Sequence, residues 1–385
     1  MDALLTDGNE RTALAAARSL VRAGWEVGVA AGGRRLSLAG VSRGVCRLRL
    51  STDPLVDPGD YVAELSDLVR QHGVRVLLPV TDASVEAILG GRHHLPPSVA
   101  VPFPDLETYR KASNKAAILA EARNVGLAVP ETVVLDHRDA ALPSGDFFPA
   151  VLKPHRSVVG GQRFGVQFVD TPGQCRAALR SLASVAFPVL LQRRIQGRGE
   201  GLFVLRWNGR IVAEFAHRRL REKPPEGGVS VLRESIALDE ELADAGRRLL
   251  EALDWQGVAM IECKRDESSG RAVLMEINGR LWGSLQLAVD AGVDFPRLLV
   301  ACAMGARVPS VTRYRVGVRS RWFWGDVDHL YLRLRNGGGA AGKLAALRDF
   351  LGTGFRRTRE EIWRWRDLAS FLLESLQQLR LGGAR

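Results

Sequence analysis

Over the first hundred residues, short apolar runs alternate with apolar positions at helical spacing. Residues 3–6 read as a strand and residues 7–8 as a turn. Residues 10–23 then place Ala13, Leu14, Ala17, Leu20 and Val21 on one helical face. Residues 26–30 and 46–50 predict two more strands, 60–72 a helix, 74–80 a strand, 82–90 a helix and 99–102 a last short strand. This βαβ alternation predicts a mainly parallel, doubly wound sheet. The turn after the first strand is Thr6-Asp7-Gly8-Asn9 and lacks GxGxxG, so a nicotinamide or flavin site is not indicated.

A proline-marked stretch at residues 95–104 suggests a boundary. Beyond it the pattern changes to α+β. Ser113 or Asn114 can cap a helix running through Val125, and residues 130–135 and 148–153 read as strands. A Gly-containing loop, residues 157–165, follows Lys153 and Pro154. Strands are predicted at 189–193 and 201–207, with Asn208-Gly209 turning the chain into another at 211–215. Residues 239–253 form an amphipathic helix, and residues 259–264 and 272–277 form two antiparallel strands. Gly337–Gly339 marks a short flexible break.

Chemistry concentrates on that last strand pair. Glu262 lies in Met260-Ile261-Glu262-Cys263-Lys264, and Glu276 and Asn278 lie in Met275-Glu276-Ile277-Asn278-Gly279-Arg280. Strand period puts Glu276 and Asn278 on one face, and pairing brings Glu262 to it. Three oxygen-bearing side chains suit Mg2+, which keeps waters and takes one or two carboxylates plus nucleotide phosphates. Arg280 falls on the same side and can meet phosphate oxygens. Upstream, Lys153 ends an apolar strand just before the loop holding Gly160 and Gly161, whose backbone can approach phosphates. Lys115 stands at a helix start, where the dipole favours anions. A third feature is residues 217–228, in which Arg218, Arg219, Arg221 and Lys223 precede a Pro- and Gly-rich segment. Arg218 or Arg221 is the expected contact to a carboxylate or phosphate; a solvated hairpin tip is the alternative. His93-His94 reads as surface, because adjacent histidines point apart and have no partners.

In this order the motifs resemble the ATP-grasp superfamily, and most of all the branch near carbamoyl-phosphate synthase and biotin carboxylase. The resemblance covers roughly residues 1–310, and its most specific part is Glu262 with Glu276-Ile277-Asn278-Gly279-Arg280. It implies a pre-ATP-grasp Rossmann-like domain at 1–105 and a two-subdomain ATP-grasp domain at 106–310 with a lid near 130–190. A basic, mainly helical extension would follow at 311–385. It implies that Lys115 and Lys153 touch ATP phosphates and that the loop with Gly160 and Gly161 folds over them. Gln192, Arg193 and Ile195 would line the adenine and Glu200 would accept the ribose hydroxyls. Glu262, Glu276 and Asn278 would hold two Mg2+ ions, or Mn2+ in their place, and Arg280 would face the transferred phosphoryl group. The stretch around Arg218 and Arg221 would border the acceptor pocket. The activity implied is an ADP-forming carboxylate–amine ligase working through an acyl phosphate, with small-molecule partners such as an amino acid. A carboxylate–thiol ligase, a carboxylase-like enzyme and a non-catalytic nucleotide-binding protein remain as alternatives. No Met-Lys-Met biotin-attachment sequence occurs, which disfavours a complete biotin-dependent carboxylase.

Composition adds limits. Apolar content of 46% and charge of 25% are ordinary for a globular protein. No apolar run approaches the ~18 residues of a membrane span, and the first residues have no signal-peptide pattern. Cys46, Cys175, Cys263 and Cys302 are far apart, so a reducing cytoplasm is expected. The net charge is +11, and residues 311–385 hold 15 Arg plus Lys against 7 Asp plus Glu. This tail is read as an Arg-rich solvated surface, with nucleic acid or a membrane surface as the less favoured partners. Ile362, Trp365, Ala369, Leu372 and Leu376 predict a helical stripe that packs on the body or on a partner subunit. A homodimer is the default expectation.

Overall fold

The computed structural model describes residues 1–33, 36–336, 339–353 and 358–382. Gly337 and Gly338 of the expected break lie outside the described residues. Strands β1 (Ala3–Leu5), β2 (Val27–Gly32), β3 (Val45–Leu50) and β4 (Val76–Leu78) form a parallel sheet in the order β3-β2-β1-β4. Helix α1 (Arg11–Arg22) connects β1 to β2, helix α2 (Pro58–His72) connects β3 to β4, and helix α3 (Asp82–Gly90) follows β4. The predicted strand at 99–102 reduces to a single parallel bridge between Ala100 and Val76. Prolines at 96, 97, 102 and 104 limit what this stretch can donate to a ladder.

Helices α4 (Leu106–Ser113) and α5 (Lys115–Asn124) lead into a four-stranded antiparallel sheet. Its strands are β5 (Thr132–Leu135), β6 (Ala150–Pro154), β9 (Gln167–Val169) and β10 (Val189–Arg193), in the order β5-β10-β6-β9. Between β6 and β9 the hairpin β7 (Val158–Val159) and β8 (Gln162–Arg163) projects. Helix α6 (Pro172–Ser181) covers the sheet, with Cys175 and Leu179 buried against Leu152 and Leu191.

The largest sheet has seven strands, β15-β14-β11-β12-β13-β16-β17. They are β11 (Gly197–Trp207), β12 (Arg210–Lys223), β13 (Val229–Ile236), β14 (Gly257–Asp266), β15 (Ala272–Asn278), β16 (Arg319–Arg321) and β17 (Thr358–Glu360). Helix α7 (Glu240–Ala252) packs Leu242, Leu249 and Leu250 on one face with Trp255. Helices α8 (Leu285–Ala291) and α9 (Phe295–Ala303) pack on the other with α1, around Phe203, Phe215, Trp282 and Phe295. The N-terminal unit and this sheet therefore share a core.

Helices α10 (Phe323–Asn336), α11 (Gly339–Gly352) and α12 (Ala369–Gly382) make the C-terminal stretch helical, but β16 and β17 also extend the large sheet. The helical stripe is not formed. Ile362 is buried outside any helix, while Trp365, Leu372 and Leu376 are exposed. Helix α12 instead turns Ser370 and Glu374 inward, where Trp322 Nε1 donates to Glu374 at 2.7 Å and Trp324 Nε1 to Ser375 at 3.0 Å. Satisfying two indole N–H groups decides its orientation, against its apolar pattern. No helix among the described residues is long and apolar enough to cross a membrane.

Candidate active site

The four-stranded antiparallel sheet and the large sheet, with Arg11 of α1, enclose a cavity of about 720 Å³. Its floor is one face of the large sheet, set by register. Glu262 and Glu276 are direct cross-strand partners, as are Met260 and Asn278. Gly201 lies opposite both Glu262 and His217, and Arg219 lies opposite Arg233. Glycine is required along β11. A Cβ on Gly199 would meet Arg219 Cδ at 2.7 Å, and one on Gly201 would meet the Phe203 ring at 2.7 Å and His217 Nε2 at 3.2 Å. The bare strand lets Arg219 reach across to Glu262 at 2.7 Å.

The opposite wall carries the lysines. Asn114 caps α5, accepting from Ala116 and Ala117 N–H at 3.0 and 3.2 Å, and so sets Lys115 on the first turn. Lys115 Nζ is buried 3.1 Å from Glu276 and donates to Ser157 Oγ at 3.3 Å. Lys153 is also buried and donates to the Met275 carbonyl at 3.2 Å. Gly279 allows the turn after Asn278, since a Cβ there would meet Trp255 at 2.4 Å. Arg280 then pairs with Asp82 at 2.9 Å, and Tyr109 donates to the same carboxylate at 2.9 Å.

The charges are strongly coupled. Burial pushes the Lys153 ammonium down to about 8, with Glu276 opposing the change. Burial raises Glu262, aided by the neighbouring Glu276 and opposed by Arg219. For Glu276 burial also acts upward, but Lys115 and Lys153 outweigh it and hold the group below the usual range. Arg219 and Arg280 are raised despite burial, by Glu262 with Glu222 and by Asp82 respectively. Two acids and one amide are too few donors for an all-protein cage. Among the described residues no group of three or more His, Cys, Asp and Glu could hold a metal. The pair fits a hard divalent ion that keeps water and shares phosphate oxygens.

Lys153, Gln192, Arg193, Ile195, Glu262, Glu276, Asn278 and Arg280 all line the cavity. Lys115 stands behind Glu276 and Asn278, in a niche with Arg156 and Ser157. Gly160 and Gly161, both at positive φ, form the tip of the β7–β8 hairpin against Val185 and the Leu55 carbonyl, away from the cavity lining.

Three expectations fail on strand parity. Glu200 lies on the reverse face of the sheet, held by Arg265 at 2.7 and 3.0 Å beside Asp239, and is not placed for a ribose in this cavity. Arg218 shares that face and pairs with Glu234 at 2.6 Å. A bulge between Arg219 and Arg221 turns Arg221 toward Asp326 and Thr353. The cavity receives His217, Arg219, Glu222 and Lys223 instead. Arg11, Asp82, Arg233 and Trp282 were not anticipated either. The Gly197-x-Gly199-x-Gly201 alternation is the sequence signal for the bare face, and parity from it selects Arg219.

The model for ATP-grasp in the biosynthetic pathway with Ter operon matches residues 187–324. The vancomycin/teicoplanin A-type resistance protein VanA of Enterococcus faecium is 24% identical over 195 residues, 46% of this chain and 56% of that protein. The vancomycin B-type resistance protein VanB of Enterococcus faecalis is 24% identical over 216 residues, 51% and 62% of the two chains. The chain thus spans under two thirds of these curated relatives. The L-amino acid ligase from Bacillus licheniformis superposes with a TM-score of 0.62 at 16% identity, over 80% of this chain and 75% of that one. A biotin carboxylase from Campylobacter jejuni gives 0.64 at 17%, over 83% and 74%. The fold is that of the ATP-grasp proteins.

Proposed function

We propose that this ATP-grasp chain is a Mg-ATP-dependent ligase that joins a carboxylate to an amine and releases ADP and phosphate. The observation that carries the reading is the meeting of Glu262, Glu276 and Asn278 with Lys153 and Arg280 around one cavity, and with Lys115 in the niche behind them. Such a set of two acids, an amide and three cations is built for a polyanion with divalent ions. The likeness to the L-amino acid ligase supports the carboxylate–amine assignment.

ATP is read as a substrate, its phosphates near Lys115 and Lys153 and its adenine along Gln192, Arg193 and Ile195. Glu262, Glu276 and Asn278 would hold Mg2+, which supplies charge neutralisation at the transferring phosphoryl. Lys153, buried and short of counter-charge, gains a stabilised positive charge beside phosphate. Arg280, fixed by Asp82, presents its guanidinium to the group being transferred. A substrate carboxylate oxygen attacks the γ-phosphorus, ADP leaves, and an acyl phosphate remains. The amine nitrogen then attacks its carbonyl carbon, phosphate departs and the nitrogen loses a proton. The β7–β8 hairpin, whose tip lies away from the cavity lining here, would have to move over the site to shield the acyl phosphate from water. A cytoplasmic location is part of the proposal.

Chromatography of nucleotides after incubation with Mg-ATP and pooled carboxylates and amines tests the reading. ADP formed only with both pools, and reduced ~100-fold or more in Glu276→Gln, is the expected result. AMP and pyrophosphate in place of ADP and phosphate would overturn it.

A further inference from the structure

Far along the cavity from the acidic pair lies a second group of buried polar side chains that the proposed chemistry does not use. Arg233 on β13 and Glu276 on β15 are four strands apart in the sheet order, about 19 Å between backbones at the usual strand spacing. Around Arg233 the cavity is lined by Arg11, His217, Ser230, Trp282 and Ser284. His217, Arg233 and Trp282 are each 1% exposed and Ser230 is 7% exposed.

Their hydrogen-bonding capacity is not met within the protein. Both ring nitrogens of His217, Nε of Arg233, Oγ of Ser230 and Nε1 of Trp282 have no partner. Groups this buried are normally satisfied, and several orphans on one wall mark a place where a ligand supplies the partners. Four of these five atoms are N–H or O–H donors, counting the one N–H of a neutral His217 ring, and Arg11 and Arg233 add charge.

At close range Arg11 and Arg233 share one carboxylate, Glu361, with Arg11 Nη1 2.5 Å from it, while Glu374 and Glu360 act on them from further away. Arg233 additionally faces Arg219 across the β12–β13 ladder, and like charges placed so repel. Burial, with Arg11 and Arg219 nearby, makes the Arg233 charge costly, and burial takes Arg11 down to about 10. His217, between Arg219 and Arg233, is kept neutral by burial and by those charges. A negative charge on the cavity side would offset the repulsion between Arg219 and Arg233.

We propose that Arg233 and Arg11, with Ser230 and Trp282, form a subsite for an anionic group of a substrate that is not the group being activated. Glu361, from the C-terminal stretch, occupies the two arginines until that anion arrives. This rests on the ligase reading of the same cavity. The ligand is a carboxylate or similar anion, on either the activated substrate or the amine.

Two matched pairs separate these sources. Succinate against succinamate tests a second charge on the activated substrate; L-alanine against L-alaninamide tests a charge on the amine. Binding of each at millimolar concentration is read by calorimetry and melting temperature, with and without a non-hydrolysable ATP analogue. We expect the charged member of one pair to bind at least tenfold more tightly. Arg233→Met and Arg11→Gln should abolish that preference while analogue affinity stays within about twofold, which also reports folding. Glu361→Gln should tighten the charged probe, a change of sign that a purely structural role does not produce. Equal binding of charged and amide members in both pairs, or a preference surviving both arginine variants, overturns the subsite. Absence of ADP formation together with the charge preference overturns the ligase reading and leaves the subsite standing.

Discussion

Replacing Lys153 by methionine keeps the buried stem and removes the charge. The ammonium is held down to about 8 from an ordinary 10.5 by burial, a gap of about 2.5 pH units that corresponds to roughly 3 kcal/mol of instability at neutral pH. The attraction of Glu276, which keeps Lys115 at 3.1 Å, is already contained in that gap. A gain of roughly 3 kcal/mol therefore follows, a rise of several degrees in melting temperature. The folded value lies below the unfolded one, so the folded wild type binds fewer protons between about pH 8 and 10.5. Wild-type stability therefore climbs relative to the variant across that window, and the gap shrinks as pH rises. Melting curves in the absence of nucleotide at pH 7 and pH 9.5 measure it, alongside ADP formation, which the variant should lose. A variant less stable at pH 7, or a stability gap that does not change with pH, would falsify the argument that this lysine is held at an energetic cost for a polyanion.

Neighbouring arginines should separate sharply. Arg218→Ala, at a half-exposed ion pair, should change stability by less than about 1 kcal/mol and ADP formation by less than twofold, whereas Arg219→Ala strips Glu262 of its partner and should cost roughly 100-fold in turnover. Steady-state rates and melting temperatures on both variants decide it. Gly199→Ala places a methyl 2.7 Å from Arg219 Cδ; turnover should drop roughly 10- to 100-fold with the melting temperature little changed. If Gly199→Ala turns over normally, the bare strand is not what positions Arg219.

The parallel sheet, the hairpin at Asn208-Gly209 and the meeting of Glu262 with Glu276 and Asn278 were readable because each depends on local periodicity and turn chemistry. Parity errors came from strands predicted too short. Starting one at 201 and ending the next at 215 hid the fact that β11 begins at Gly197 and β12 continues to Lys223, so alternation was not applied to Glu200, Arg218, Arg219 and Arg221. The bulge near Arg221 resets the phase again and has no marker in sequence. Arg11 and Arg233 were invisible for another reason: their partner Glu361 lies 350 residues beyond Arg11. Helix α12 misled by its leucines, because the indoles of Trp322 and Trp324 fix which side faces inward.

The ion cluster around Glu361 and Asp367 joins the two ends of the chain. Arg18 on α1 holds Asp367 at 2.7 Å and the Ile362 carbonyl at 2.9 Å, while Arg11 and Arg233 hold Glu361. A chain emerges from the ribosome in one direction. The N-terminal arginines, the acidic pair and the large sheet's first five strands all precede Glu361 and Asp367 in the chain. A nascent chain can thus form most of the cavity floor early, yet its arginines meet their own carboxylate only when translation has passed residue 361.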